Sequence, residues 1–175
     1  KFREAIRIEE VRLYLGVILG FTLLIAFNVR DMFGSFFESF HHALFQVASI
    51  ITTTGFATVD FNLWPAFSKS LLVLLMFIGA CAGSTGGGIK CSRIVLMLKS
   101  VKKEMQYLIH PRAVRVNKMD GRRVQHEVMR SVNVFLIAYL LIFAVSVLLV
   151  SLNCEDMVTN FTAVATALNN VGPGL

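Results

Sequence analysis

Apolar residues run without a charge over three stretches of the chain, 13–29, 70–89 and 131–154. Each has about the length a helix needs to cross a bilayer, roughly 20 residues. A fourth apolar stretch, 39–59, has a different pattern: an apolar helical half, 40–51, followed by Thr52-Thr53-Thr54-Gly55. A helix of that length reaches about 18 Å, short of the roughly 30 Å hydrocarbon core. Non-helical backbone at membrane depth is tolerated only where it is buried in protein or lines a water-filled cavity. The pattern therefore predicts a short pore helix followed by a filter strand, entering and leaving the membrane on the same side. The stretch 64–109 has the opposite problem, because its 46 residues would make a helix of about 69 Å. Its interruption is Gly79-Ala80-Cys81-Ala82-Gly83-Ser84-Thr85-Gly86-Gly87-Gly88, a run too rich in glycine for a stable helix at about 1 kcal/mol lost per glycine against alanine.

Charge sets the topology. The chain has 17 Lys and Arg and a net charge of +6. Lys1, Arg3, Arg7 and Arg12 precede the first apolar run, most of the rest lie between Lys90 and Arg130, and Arg30 and Lys69 stand apart. Lys and Arg accumulate on cytoplasmic flanks, so both basic stretches belong on the cytoplasmic side. The chain must then cross the membrane an even number of times between them. Reading 39–59 as re-entrant satisfies this. A headgroup-facing surface accounts for the basic segment, and nucleic acid is not required. Hydrophobic residues make up 55% of the chain and charged ones 16%, the composition of a membrane protein rather than a soluble domain.

The first segment has no signal-peptide pattern, and the last residues, Val171-Gly172-Pro173-Gly174-Leu175, read as a cut through a longer polypeptide. Cys81, Cys91 and Cys154 form neither a disulfide framework nor a metal-ligand spacing. His41-His42 read as a polar start to a helix, and the sequon Asn160-Phe161-Thr162 carries no weight.

A shift of 117 residues lays the first re-entrant segment over the end of the chain. Glu38 falls on Glu155, Val47 on Val164, Ala48 on Ala165, Ser49 on Thr166 and Gly55 on Gly172. The order span, acidic residue, short helix, polar triplet, glycine occurs twice, as expected of a chain that builds a pseudo-symmetric pore. A potassium filter replaces the ion's hydration shell with backbone carbonyls, which calls for extended backbone and a glycine free to adopt unusual conformations. Thr53, Thr54, Gly55 and Phe56 fit this, as do Asn170, Val171, Gly172 and Pro173, with K+ expected against Thr53, Thr54, Gly55, Asn170, Val171 and Gly172. Each short helix would turn the negative end of its dipole toward the ion. Glu38, Glu155 and Asp60 would raise the local cation concentration or serve only as caps.

For the glycine-rich break, a phosphate-binding loop fails because Lys90 follows Ile89 and no strand precedes it. Close helix packing through Gly79 and Gly83 remains open. A flexible intramembrane loop facing the cavity below the filter is preferred, its members being Gly79, Gly83, Ser84, Thr85, Gly86, Gly87, Gly88 and Lys90.

The three segments 51–56, 83–90 and 169–174 resemble the Trk/Ktr/HKT superfamily of potassium transporters, and within it the bacterial TrkH branch. The resemblance runs from about Glu10 to Leu175. It implies an all-α integral membrane protein of potassium-channel type, with four helix–pore-loop–helix repeats in one polypeptide. This chain would hold the third repeat (1–109, its second helix broken by glycines), a cytoplasmic basic loop (110–126) and the start of the fourth repeat (127–175). Two repeats and a last helix with a pore-facing basic residue would lie outside it. The resemblance further implies a gate at residues 79–90, a homodimer, a cytosolic nucleotide-binding regulatory subunit served by the basic segment, and a multi-pass location in a bacterial inner membrane. No cofactor is expected beyond K+ as transported substrate, and no enzymatic activity. In this superfamily a serine at the first filter glycine accompanies sodium transport, and that position is outside the chain. A sodium-permeable member and a secondary cation transporter with broken helices, including a symporter, are the alternatives.

Overall fold

The structure, a computed structural model, describes residues 7–110, 118–153 and 155–174. Lys1, Arg3, Arg112, Arg115, Cys154 and Leu175 lie outside the described residues.

The described chain is mostly helical. Helix α1 spans Glu9–Asn28 and opens on two glutamates, where carboxylates favour the positive end of the dipole. Helix α2, Phe36–Ile51, starts at Ser35, whose hydroxyl accepts from the Phe37 amide at 3.3 Å. It begins four residues earlier than the apolar pattern predicts, and its 16 residues still reach only about 24 Å. Helix α3, Ala66–Phe77, begins after Pro65, which fixes the backbone angle at its start. Helix α4, Cys91–Ile109, carries the basic segment away from the glycine-rich break. A two-residue hairpin, β1 (Lys118–Met119) and β2 (Arg122–Arg123), turns through Asp120 and Gly121 at φ of 50° and 79°. Both central angles positive is the geometry that Asp-Gly favours. Helix α5 spans His126–Val150 and α6 Met157–Asn169, the latter capped by the Asp156 carboxylate accepting from the Val158 amide at 3.2 Å.

Packing follows the order of the chain: α1 lies on α2, α5 lies on α6, and α3 bridges the two pairs through contacts with α1, α2 and α6. The core joins Ile25, Ala26 and Val29 of α1 to Val47, Ile50 and Ile51 of α2 and Leu72, Leu75 and Met76 of α3. An aromatic trio closes the other side, with Phe77 5.3 Å from Phe143 and Phe143 5.0 Å from Phe161 between ring centroids. Such pairs add about 0.5–1.5 kcal/mol each beyond the area they bury. The Ser68 hydroxyl donates to Asn28 Oδ1 at 2.7 Å and ties the end of α1 to the start of α3. The Arg93 guanidinium stacks over Phe135 at 3.9 Å and joins α4 to α5.

Helices α1 and α5 are long and apolar enough to cross a membrane. Leu15, Leu19, Leu24 and Phe27 on α1, and Ile137, Leu141, Leu148 and Leu149 on α5, are exposed. Contiguous apolar faces of this size mark surfaces built for lipid or for further protein. The amide of Glu9 donates to Asp120 Oδ1 at 2.8 Å. The start of α1 and the hairpin of the basic segment therefore lie together at one end of the molecule, as the charge distribution predicts.

Candidate functional site

Two short helices end in the same way. At the end of α2 the Thr53 amide donates to Ile50 O at 3.0 Å and the Thr54 amide to Ser49 O at 2.9 Å. At the end of α6 the Asn170 amide donates to Ala167 O at 3.3 Å and the Val171 amide to Thr166 O at 3.0 Å. Each partner in the second set stands 117 residues after its counterpart in the first. This pair of bonds is a Schellman ending, which requires a left-handed residue just past the helix. Thr53 and Asn170 supply it at φ of 56° and 53°. Two residues on, Gly55 and Gly172 also have positive φ, 82° and 104°. Asparagine tolerates the left-handed region well; threonine, branched at Cβ, does so at a cost.

The two turns lie side by side. A Cβ on Gly55 would meet the Val171 carbonyl oxygen at 2.7 Å, and one on Gly172 would meet the Gly55 Cα at 3.4 Å. The first turn is braced by its own hydroxyls: Ser49 Oγ donates to Phe56 O at 2.5 Å, and Thr52 and Thr54 share a hydrogen bond at 2.7 Å. Thr54 is exposed and its counterpart Val171 is buried, so corresponding positions differ in surroundings while the glycines that follow them touch.

The glycine-rich break forms a loop closed at its neck. Ile78 and Ile89 pair in a parallel bridge. The Gly79 amide donates to Ile89 O at 2.9 Å, the Ile89 amide to Phe77 O at 3.1 Å and the Cys91 thiol to Gly79 O at 3.1 Å. Inside the loop, Lys90 Nζ donates to Ser84 O at 2.9 Å, Ser84 Oγ at 3.2 Å and Gly86 O at 2.5 Å. The ammonium is thus committed to holding the loop's shape.

The loop reaches both turns. A Cβ on Gly87 would overlap the Asn169 carbonyl at the end of α6, and one on Gly86 would meet Thr53 Oγ1 at 3.2 Å. Gly79 is tightly packed, but against Gly87 and Gly88 of its own loop, and Gly83 has nothing within 4 Å. Among the described residues these two glycines therefore do not form a close helix–helix contact.

Several residues at the site escaped the sequence reading. Asn169 is fully buried, accepts from the Tyr139 hydroxyl at 2.8 Å and donates to Ala165 O at 2.7 Å. Glu10 Oε1 accepts from the amides of Ala82 at 2.6 Å and Ser92 at 3.0 Å. Among the acidic residues singled out by sequence, Asp60 caps a short turn by accepting from the Asn62 amide at 2.9 Å. Glu38 lies in the first turn of α2, whereas Glu155 precedes α6 and leaves the capping to Asp156. His42 Nδ1 is 3.1 Å from the Thr58 hydroxyl, and Asn160 is buried with its amide donating to Glu155 O at 3.0 Å.

A family model described as TrkH, cation transport protein, matches residues 15–175. The chain belongs to the TrkH family. The Trk system potassium uptake protein TrkH of Escherichia coli K12 is 39% identical over 173 residues, 97% of this chain and 35% of its own length. The protein of the same name from Vibrio parahaemolyticus is 40% identical over 163 residues, 93% of this chain and 34% of its own. TrkG of Escherichia coli K12 is 37% identical over 177 residues, 98% of this chain and 36% of its own. The crystal structure of the potassium transporter TrkH from Vibrio parahaemolyticus is similar to this fold with a TM-score of 0.91 at 39% identity, covering 98% of this chain and 37% of that one. The chain thus spans about a third of the length of these relatives.

Proposed function

We propose that this chain is part of the pore-forming subunit of a potassium uptake system, with K+ crossing a carbonyl-lined filter gated by the glycine-rich loop. The observation that carries the reading is the pair of matching turns, 117 residues apart in sequence and in contact through Gly55 and Gly172. Positive φ at alternate positions in both turns supports a backbone arranged to aim successive carbonyls at an ion, which then substitute for its water shell. Thr53, Thr54, Gly55 and Phe56 provide one wall of the filter and Asn170, Val171, Gly172 and Pro173 the next. The helices before them end at these turns, so their negative dipole ends favour a cation there. Further repeats of the same polypeptide complete the ring.

In this reading α1 and α5 span the bilayer while α2 and α6 enter it part-way from outside. Helix α3, only 12 residues long, returns the chain to the cytoplasmic side together with the glycine loop and α4. The loop of residues 79–90 lies below the turns on the cytoplasmic side and blocks the ion path until it moves. The hairpin, with Lys118, Arg122 and Arg123 exposed, offers a basic surface to a cytosolic nucleotide-binding subunit. A homodimer in a bacterial inner membrane belongs to the same proposal.

The test is electrical recording from the full-length protein with Gly55→Ala and Gly172→Ala. Each substitution puts a side chain on a backbone angle that disfavours it, and Gly55→Ala also pushes against the neighbouring filter carbonyl. Currents reversing near the potassium potential, with a lower potassium-to-sodium permeability ratio in both variants, are expected. Reversal near the sodium potential would make the protein a sodium-permeable relative, and strictly coupled fluxes a secondary transporter. Unaltered ratios in both variants sink the filter assignment.

A further inference from the structure

Helix α4 begins at Cys91 without a side-chain cap of its own, since Lys90 at the capping position makes no such bond. The Ser92 amide in its first turn is met instead by Glu10, which stands 82 residues earlier on α1. The same carboxylate oxygen also accepts from the Ala82 amide, on the other limb of the glycine loop. One carboxylate thus grips the loop on both sides of its neck, and at a helix N-terminus it is also favoured by the dipole. The residue beside it is tied elsewhere. Glu9 pairs its carboxylate with Lys99 of α4 and donates its amide to Asp120 at the hairpin tip, while Lys99 also donates to Lys118 O at 2.5 Å. The first turn of α1 therefore touches both the hairpin and the loop, and α4 ties to the same two parts through Lys99 and Cys91.

We propose that Glu10 is a positioning residue that clamps the glycine loop beneath the two turns, and that the Asp120–Glu9 contact makes this clamp answer to the position of the hairpin. The proposal rests on the reading of the loop as a gate. Displacing the hairpin shifts the first turn of α1, withdraws the Glu10 carboxylate and frees Ala82 and Ser92 together. Two sites biasing one shared element is the physical requirement for coupling.

The experiment compares Glu10→Ala, Glu10→Gln, Asp120→Ala and the double variant Glu10→Ala/Asp120→Ala in the full-length protein. Amide hydrogen exchange of residues 79–92 and potassium flux per assembled protein are both measured. Glu10→Ala is expected to speed exchange across the loop, at 79–82 and 86–89 as well as at Ser92, and to raise basal flux about tenfold, the scale of a lost charge-assisted hydrogen bond. Glu10→Gln keeps an acceptor oxygen and gives a smaller rise in both, and it stands in for Glu10→Ala if that variant does not assemble. Asp120→Ala gives a lesser rise that adds nothing to Glu10→Ala, as expected for residues acting through one contact. Faster exchange confined to Ser92 and the rest of the first turn of α4, with the loop unchanged, would reduce Glu10 to a helix cap and overturn the clamp. Additive effects of the two substitutions would overturn the link to the hairpin. Faster loop exchange with unchanged flux would uphold the clamp and instead refute the gate.

Discussion

Replacing Gly87 by alanine puts a methyl group where the structure has none to spare. Its Cβ would overlap the carbonyl of Asn169, and Asn169 is not free to yield. It is fully buried, the Tyr139 hydroxyl holds its Oδ1 and its own amide group holds Ala165 O. The loop must withdraw instead. Overpacking of this kind costs about 1–3 kcal/mol, and if the cost falls on the closed arrangement alone, the closed-to-open ratio drops about 5–150-fold. Gly86→Ala tests the reasoning at a neighbouring position. Its tightest contact would be a threonine hydroxyl at 3.2 Å, which can rotate away, with Ala80 Cβ and Thr52 O at an ordinary 3.6 Å, so its effect is expected to be much smaller. Gly83→Ala has open space around it and no positive φ, and is the neutral control. The assay is potassium uptake into proteoliposomes per assembled protein, without a regulatory partner. The expected order of basal flux is Gly87→Ala well above Gly86→Ala, with Gly83→Ala at wild type. A stable Gly87→Ala protein whose flux equals that of Gly83→Ala would refute the account, because the contact would then not be holding a gate.

Two other outcomes follow from the same geometry. Cysteines placed at Lys69 and at Lys118 are expected to react with an impermeant thiol reagent from opposite sides of the membrane, the first from outside; labelling of both from one side refutes the re-entrant reading of α2. Tyr139→Phe leaves the Asn169 oxygen without its donor, which costs about 1–3 kcal/mol in a buried position. A lower thermal midpoint of the full-length protein is expected, and a wild-type midpoint would show that Asn169 finds another partner.

The parts of the site legible in the sequence are those where local chemistry repeats. The 117-residue shift aligns Gly55 with Gly172, and the structure puts those two glycines in contact. The glycine run was legible as a break because five glycines oppose a helix whatever surrounds them. Glu10 was not, since its partners stand 72 and 82 residues away and a glutamate in a first helical turn has an ordinary local explanation in the dipole. Asn169 was hidden for a similar reason: its neighbour Asn170 carries the left-handed turn, and nothing local says that the preceding side chain reaches Tyr139. The hairpin had a readable signal in Asp120-Gly121, masked by flanks of Lys and Arg that lack the alternating apolar pattern of a strand.

The two turns also separate what the backbone demands from what the side chains add. Thr52-Thr53-Thr54-Gly55 and Asn169-Asn170-Val171-Gly172 share no residue but the glycine, yet they make the same two backbone hydrogen bonds and take the same sign of φ at the same places. Those bonds, and not a particular side chain, therefore specify the geometry. Asparagine is the economical choice at the left-handed position; threonine at Thr53 costs more, about 1–3 kcal/mol on the scale of strained functional backbones. Thr53 is also the residue whose hydroxyl lies over Gly86 of the loop. A glycine or asparagine there would relieve the strain and remove the hydroxyl from the point where turn and loop meet. The strained residue and the contact to the loop thus coincide at one position.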